Sequence, residues 1–329
     1  MKRIVLFFAV IAALSSSLAM AEEKPLIVST IRPIQAIVVA ITGDNVETKQ
    51  LIPDFASPHQ YSLKPSEIRL LNKADLVIRI DDHLETFLEK SMRSLDLEKL
   101  VTLSTVKGLT LLSANHDHND HEEAEHDEDA HEKESSHEDE HHHDEDHEQL
   151  KAEDTDYHLW LSPSNAVLIA ANIRDRIIAI DPSNKESYES NTQQLIDSIS
   201  ETDKAIIETL APIKEMPFLV MHDAWQYFTN HYGLNQLDSI TLQERLKPSA
   251  KALSKARQTI TDSNVRCIVT ELGFKLKTLR VLTEDIDVNT TEIDPMGRQI
   301  KLSKQAYPAL LDYTAKQLVE CLTHTTTKK

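Results

Sequence analysis

The amino-acid sequence predicts an α/β protein made of two lobes, each with a parallel sheet, and one long helix between them. Short β-rich runs alternate with helical stretches, which is the pattern of βα units and parallel sheets. Four such runs lie on each side of one uninterrupted stretch, residues 184–210. The chain has 329 residues, a length that suggests two domains.

The chain begins with the features of a secretory signal peptide, residues 1–21. Basic Met1-Lys2-Arg3 precedes the apolar run Ile4–Leu14, and the small-residue sequence Ala19-Met20-Ala21 follows. We expect cleavage after Ala21 and a periplasmic location, with an uncleaved anchor as the alternative. The apolar run is too short for a permanent membrane span, and no cysteine at the cleavage site accepts lipid, so we expect no stable membrane insertion.

The eight predicted strands fall into two groups of four. The N-terminal lobe, residues 22–183, contains Leu26–Ile31, Val46–Leu51, Leu76–Ile80 and Leu100–Leu103. The C-terminal lobe, residues 211–329, contains Phe218–Met221, Gln236–Ile240, Cys267–Thr270 and Val288–Glu292. Ligands of open α/β sheets bind outside the carboxyl ends of the strands, so a cleft between the lobes is the expected site.

The stretch 184–210 has the start signal and the periodicity of a helix. Asp181 suits its cap and Pro182 its first turn. Apolar residues recur along it at roughly helical spacing, namely Leu195, Ile199, Ile206 and Leu210. A helix of this length is about 40 Å long and would join the two lobes.

A segment of 33 residues, His116 to Glu148, has the composition of a metal-binding loop. It holds ten of the sixteen histidines and seventeen carboxylates, and its one basic residue is Lys133. Imidazole and carboxylate are ligands that divalent cations prefer, and an almost complete lack of apolar residues predicts a disordered loop. A plain solvated linker is the alternative. The ten candidate weak ligands are His116, His118, His121, His126, His131, His137, His141, His142, His143 and His147.

The charge outside this segment is nearly balanced. The segment contributes −16 of the formal net charge of −19, which leaves −3 for the rest of the chain. A nucleic-acid surface requires clustered lysine and arginine, so we expect no nucleic-acid partner. The five glycines form neither a Gly-x-Gly-x-x-Gly nor a Gly-x-x-x-x-Gly-Lys arrangement, which argues against nucleotide binding.

Four further candidate metal ligands stand just after, or between, predicted strands. Three imidazoles and one carboxylate meeting across the cleft would form a shell that tetrahedral zinc accepts. Asp223 and Ser162 are candidates to orient the imidazoles. The four candidates are His59 in Ser57-Pro-His-Gln-Tyr-Ser-Leu-Lys-Pro65, His158 in His158-Leu-Trp-Leu-Ser-Pro163, His222 in His222-Asp-Ala-Trp225, and Asp294 in Asp294-Pro-Met-Gly297.

These four motifs, their order and the acidic histidine-rich segment resemble the ZnuA-type zinc-binding proteins of ABC transporters, in the cluster A-I or cluster 9 solute-binding family. The resemblance implies two (β/α)4-like lobes joined by one rigid helix, with Zn2+ bound between the lobes. It also implies a monomer that passes zinc to an inner-membrane ABC permease. Motif matching gives His59, His158 and His222 the three imidazole positions.

Departures from the family pattern affect two positions. Some zinc-binding members have glutamate directly before the first histidine, whereas this chain has Pro58, which leaves Asp294 or water as the fourth ligand. The family's Glu-Pro-Gln-Phe segment is Glu271-Leu-Gly-Phe274 here. Manganese-selective relatives tend to carry glutamate in place of His222, so the sequence resembles the zinc branch.

Two other classes of protein compete with a zinc receptor. A manganese or iron receptor, or a metal-dependent adhesin, would use the same scaffold. A zinc hydrolase would use three histidines and an open fourth position, but the chain lacks a His-Glu-x-x-His motif.

The two cysteines, Cys267 and Cys321, form an even pair in an exported chain, which is usual for a disulfide. They also match a disulfide of enterobacterial-type members of the family. Two reduced thiols are the alternative.

Overall fold

The structure is a computed structural model that describes residues 23–92, 95–114, 155–241, 248–272, 274 and 276–324. The expected signal peptide and the histidine-rich segment lie outside the described residues. Two α/β lobes and a long helix are present, which confirms the predicted fold class.

The N-terminal lobe is built on a parallel sheet of four strands. These are β1 (Leu26–Ser29), β2 (Glu47–Gln50), β3 (Leu76–Arg79) and β4 (Leu100–Thr102). They are connected by α1 (Arg32–Thr42), α2 (Pro65–Lys73) and the short α3 (Glu89–Met92). The strand order is β2-β1-β3-β4. Central β3 is fully buried and is apolar except for its last residue, Arg79, whereas edge strand β2 is polar and partly exposed, as is common at a sheet edge.

A two-stranded antiparallel sheet, absent from the sequence prediction, follows the four-stranded sheet within the N-terminal lobe. It pairs β5 (Leu112–Ser113) with β6 (Thr155–Asp156) across the undescribed stretch 115–154. The hydroxyl of Tyr227 joins both strands, because it accepts the N–H of Leu112 and donates to the carbonyl of Asp156.

Two helices carry the chain from this small sheet to the second lobe. The first, α4 (Pro163–Ile180), is capped by Ser162, whose Oγ accepts the N–H of Asn165. The second, α5 (Lys185–Leu210), has 26 residues and confirms the expected long helix. Its buried stripe includes all four residues that the periodicity indicated, Leu195, Ile199, Ile206 and Leu210.

The C-terminal lobe repeats the arrangement of the first. Its strands are β7 (Phe218–His222), β8 (Gln236–Thr241), β9 (Cys267–Thr270) and β10 (Asn289–Glu292). Its helices are α6 (Gln226–Tyr232), α7 (Ala250–Asp262), α8 (Leu276–Thr283) and α9 (Ala306–Thr323). The parallel order is β10-β9-β7-β8. All eight predicted strands are therefore present, with ends within two residues of those expected.

The two lobes share one apolar core. A continuous cluster of buried side chains runs from Ile37 of α1 through Leu195 of α5 to Leu311 of α9. Helix α5 packs against α1, α4 and α9, so helices of both lobes contact the same rod. Among the described residues, no helix is both long and apolar enough to cross a membrane.

Hydrogen bonds between the lobes add to this shared core. The indole Nε1 of Trp160 donates to the carbonyl of Pro295 at 2.9 Å, and the hydroxyl of Tyr307 donates to the carbonyl of Trp160 at 2.7 Å. Arg32, the first residue of α1, donates to the carbonyls of Gly297 and Ile300. These contacts fix the loop after β10 against the N-terminal lobe.

Candidate metal centre

Three of the predicted ligands meet between the lobes. His59 lies in the loop after β2, His158 directly follows Tyr157 after β6, and His222 is the last residue of β7. The first two belong to the N-terminal lobe and the third to the C-terminal lobe. His59 and His222 therefore lie at or beyond the carboxyl ends of parallel strands, which is where the open α/β arrangement places its ligands.

The three imidazoles surround a common point. Their ring centroids are 5.1 to 5.4 Å apart, and one ligand nitrogen from each ring lies within 4.8 Å of the other two. Within the described part of the chain, this is the one group of three or more ligand side chains with such spacing. The Nε2 atom of His59 is buried and has no hydrogen-bond partner among the described residues. Such an atom is costly unless it has a ligand.

A carboxylate holds the ring of His158. Asp156 Oδ1 lies 2.7 Å from His158 Nδ1 and also accepts the backbone N–H of His158 at 2.9 Å. With Nδ1 hydrogen-bonded to an acceptor, the remaining ring nitrogen, Nε2, is the one that can bind a metal.

His222 has the same kind of partner from another strand. Its Nδ1 lies 2.8 Å from Oε1 of Glu271, the residue that directly follows β9. Strands β7 and β9 are neighbours in the sheet, so their carboxyl ends place these two buried side chains together. The bond again leaves Nε2 for a metal.

Burial keeps His59 neutral. Desolvation, together with the nearby charges that His158 and His222 can carry, lowers the pKa of His59 well below 6.5. A metal binds the neutral imidazole, so protons compete with it for His59 only at pH values lower than those expected for a free histidine.

Asp294, the fourth predicted ligand, is not part of the three-histidine group among the described residues. Its carboxylate accepts the N–H groups of Met296 and Arg298 and closes the turn after β10. Burial raises its pKa, against the opposing effect of Arg298. In the sheet, β9 separates β10 from β7, so Glu271 stands between Asp294 and His222.

The residues expected to orient the imidazoles have other contacts in the structure. Ser162 caps α4, and Asp223 accepts hydrogen bonds from Gln226 and Gln236. The sequence reasoning missed Asp156 and Glu271 as the partners of the imidazoles. Asp156 had a detectable signal, the Asp-x-His spacing, whereas Glu271 is 49 residues from His222.

Two buried tryptophans stand near proposed ligands in the sequence, Trp160 two residues after His158 and Trp225 three residues after His222. Trp160 is fully buried with its ring centroid 5.3 Å from that of His158, and Trp225 is 2% exposed. The expected pair of cysteines forms the disulfide Cys267–Cys321, with Cα atoms 5.7 Å apart. Cys267 is the first residue of β9, whereas Glu271, the partner of His222, follows the last residue of that strand.

Comparisons with known proteins identify the family of the chain. The sequence profile of the ZnuA family, described as zinc-uptake complex component A, periplasmic, matches residues 27–321. A relative from Haemophilus ducreyi, named high-affinity zinc uptake system protein ZnuA, is 39% identical over 297 residues, which cover 90% of this chain and 93% of the relative. The chain belongs to the ZnuA family.

Solved structures of ZnuA share the fold of this chain. A crystal structure of ZnuA matches with a TM-score of 0.71 and 21% identity, and covers 92% of this chain and 100% of the other. A zinc-bound ZnuA deletion mutant matches with a TM-score of 0.70, 20% identity and the same coverage. ZnuA-family proteins are periplasmic components of a transport system and not enzymes, so the family gives no support to a zinc hydrolase.

Proposed function

We propose that this protein is a periplasmic receptor that binds one Zn2+ between its lobes and delivers it to an inner-membrane ABC permease. The observation that carries the proposal is the convergence of His59, His158 and His222. The names of the relatives, high-affinity zinc uptake system proteins, support zinc as the cargo. Residues 1–21 would then be the export signal.

In this proposal, binding exchanges the hydration waters of zinc for three imidazole nitrogens. Asp156 and Glu271 hold two of the rings through Nδ1, so little ring freedom is lost on binding. Because His222 belongs to the C-terminal lobe and the other two ligands to the N-terminal lobe, the ion ties the lobes together.

The fourth coordination position falls to Asp294 or to water. In the structure, one oxygen of Asp294 accepts the N–H of Met296 and the other accepts the N–H of Arg298. The zinc affinity of Asp294→Asn distinguishes Asp294 from water as the fourth ligand. If the affinity falls as far as it does in a histidine variant, Asp294 is the ligand. If the affinity changes little, the ligand is water.

The shared core and the interlobe hydrogen bonds limit how zinc is captured. A hinge opening of the lobes would expose the apolar cluster along α5 and break the Trp160–Pro295 bond. Capture and release therefore proceed through small tilts and loop rearrangement. Small-angle scattering checks this, since a large difference between the profiles of metal-free and zinc-loaded protein would contradict it.

The histidine-rich segment, His116–Glu148, is proposed to gather zinc weakly near the cleft. It ends about ten residues before His158. A tether of this length gives an effective concentration in about the millimolar range, enough for weak sites to supply a strong one.

The decisive experiment is a zinc titration of the mature protein by calorimetry against a competing chelator. We expect one tightly bound ion, lost in His59→Ala, His158→Ala and His222→Ala. The zinc affinity should fall by more than the roughly 10- to 100-fold that is lost when a hydrogen-bond partner of a metal ligand is removed. His231→Ala is the matched control, because His231 also pairs with an aspartate, Asp203, but lies outside the three-histidine group. Tight binding that survives all three ligand variants would disprove the proposal.

The donor set also argues against manganese as the cargo. Three imidazoles suit zinc, whereas Mn2+ prefers carboxylate, carbonyl and water oxygens. We expect excess Mn2+ to leave the bound zinc in place in the same titration.

A further inference from the structure

His83 repeats, nearer to solvent, the local structure that holds His158. Asp81 Oδ1 accepts the backbone N–H of His83 at 2.9 Å and lies 2.7 Å from its Nδ1. Asp156 Oδ1 makes the same two contacts with His158, also at 2.9 and 2.7 Å. Both histidines therefore use Nδ1 for an aspartate two residues earlier, and both have Nε2 left for a ligand.

The two units are neighbours in space. The ring of His83 stacks on that of Tyr157, with centroids 5.6 Å apart and planes 4° from parallel. Tyr157 directly precedes His158 in the chain, and its hydroxyl lies 3.3 Å from His83 Nδ1. The side chain of His83 is 48% exposed, against 8% for His158. His83 therefore lies between solvent and the backbone that carries a proposed ligand.

The surrounding structure fixes His83 more firmly than an ordinary surface histidine requires. Ser104 Oγ donates to the second oxygen of Asp81, and the backbone N–H of Asp81 donates to the buried carboxylate of Glu85. His231 offers a contrast, because it pairs with Asp203 through Nε2 and thereby uses the nitrogen that His83 keeps.

From this geometry we infer that His83 is an entry ligand for zinc, a residue whose Nε2 binds the ion in transit between solvent and the three-histidine group. The inference rests on the proposed function. Hydrated zinc exchanges one water for His83 Nε2, and a nitrogen of the inner group then displaces His83, so no proton or electron has to be supplied. One imidazole binds zinc weakly, which suits an intermediate that must not retain the ion.

The inference has a specific kinetic consequence. A residue that contacts the ion only in transit lowers the barrier equally in both directions. Its removal slows association and dissociation by the same factor and leaves the equilibrium affinity unchanged. Removal of a residue that merely supports the fold would instead change the affinity. Removal of a permanent ligand would mainly raise the dissociation rate.

The test is stopped-flow zinc uptake from a buffered zinc solution, and release to excess chelator, for full-length mature protein. We expect His83→Ala and His83→Gln to slow both rates severalfold while the affinity stays within about twofold, and His231→Ala to leave both rates unchanged. Unaltered rates in the His83 variants, or an affinity loss without an equal effect on both rates, would overturn the inference. Failure of the unsubstituted protein to bind zinc tightly would instead refute the proposed function.

Discussion

Glu271 Oε1 lies 2.8 Å from Nδ1 of His222, a contact between residues that end neighbouring strands of the C-terminal sheet. Both side chains are buried. The carboxylate stabilises the tautomer with the proton on Nδ1 and raises the basicity of Nε2, which strengthens a bond from Nε2 to a metal. The segment that departs from the usual family motif, Glu271 to Phe274, therefore begins with a residue that prepares the site.

Glu271→Gln is expected to lower zinc affinity by about tenfold and Glu271→Ala by up to about 100-fold, since the first removes the charge and the second removes the acceptor. Competition titration with a chelator measures both. Glu292→Gln is the matched control, because Glu292 is an exposed carboxylate at the end of the adjacent strand β10. Equal affinities for all variants would show that the bond has no role in binding.

Deletion of residues 116–148 is expected to leave one tight zinc ion per protein and to remove the weaker ions. The ligands proposed for the tight ion all lie outside this segment. Calorimetry of both forms measures the stoichiometry and affinity of each class of site. If tight binding disappears with the segment, the proposed division between collection and capture is wrong.

Trp160→Phe is expected to lower the stability of the metal-free protein by about 1 to 3 kcal/mol, because the buried carbonyl of Pro295 loses its donor. Trp225→Phe is a matched control, because Trp225 is equally buried but its Nε1 has no hydrogen-bond partner among the described residues. Urea unfolding measures both. A Trp225→Phe loss equal to that of Trp160→Phe would mean that ring volume, and not the interlobe hydrogen bond, determines the effect.

Glu85→Gln is expected to raise the free energy of unfolding of the metal-free protein, relative to the natural chain, more at pH 8 than at pH 5. Glu85 is fully buried, and desolvation raises its pKa from 4.5 to about 7. The stability contributed by its protonated form is complete below pH 4.5 and is lost as the pH rises through 7. Glutamine stays neutral at every pH. The free energy of unfolding of the variant should therefore gain on that of the natural chain by a value that approaches about 3 kcal/mol as the pH rises from 4.5 to 7.

Urea unfolding at pH 5, 6, 7 and 8 measures this difference. Glu67→Gln, which changes a carboxylate at an exposed helix start, is the comparison variant. An advantage of Glu85→Gln that does not vary with pH would show that the fold does not raise the pKa of Glu85.

Replacement of both Cys267 and Cys321 by serine is expected to lower the free energy of unfolding by about 4 kcal/mol. The disulfide joins β9 to the end of α9 across 54 residues, and the estimate is the chain entropy that it removes from the unfolded state. Urea unfolding with and without reductant measures it. Reductant should destabilise the natural chain and leave the double variant unchanged.

The sequence was sufficient to predict the elements that carry the site. Buried parallel strands such as β7 and β9 are nearly continuous apolar runs, and the motifs that follow them are short and polar. Parallel strands of one sheet have their carboxyl ends at the same edge, so residues that follow them lie close together. Strand-end placement and the resemblance of the motifs to the ZnuA-type family grouped His59, His158 and His222 before any distance was known.

Contacts that depend on register or on backbone atoms left no such signal. The acceptor of Trp160 is the carbonyl of Pro295, and every residue has a carbonyl. Glu271 and Asp294 both follow strands of one sheet, and only the strand order shows that Glu271 is the one beside His222. The pairing of β5 with β6 involves two residues on each side, too few to produce a pattern.

Because the short strands β5 and β6 pair with each other, the stability of the fold should depend little on the length of the segment between them. Its strands fix both ends of the stretch 115–154, and the hydroxyl of Tyr227 bonds to each of them. Closing a flexible connection costs only about 0.6 kcal/mol more for each doubling of its length. We therefore expect histidine-rich inserts of very different size, or a fluorescent reporter, to be accepted at this point with only a small change in the stability of the fold.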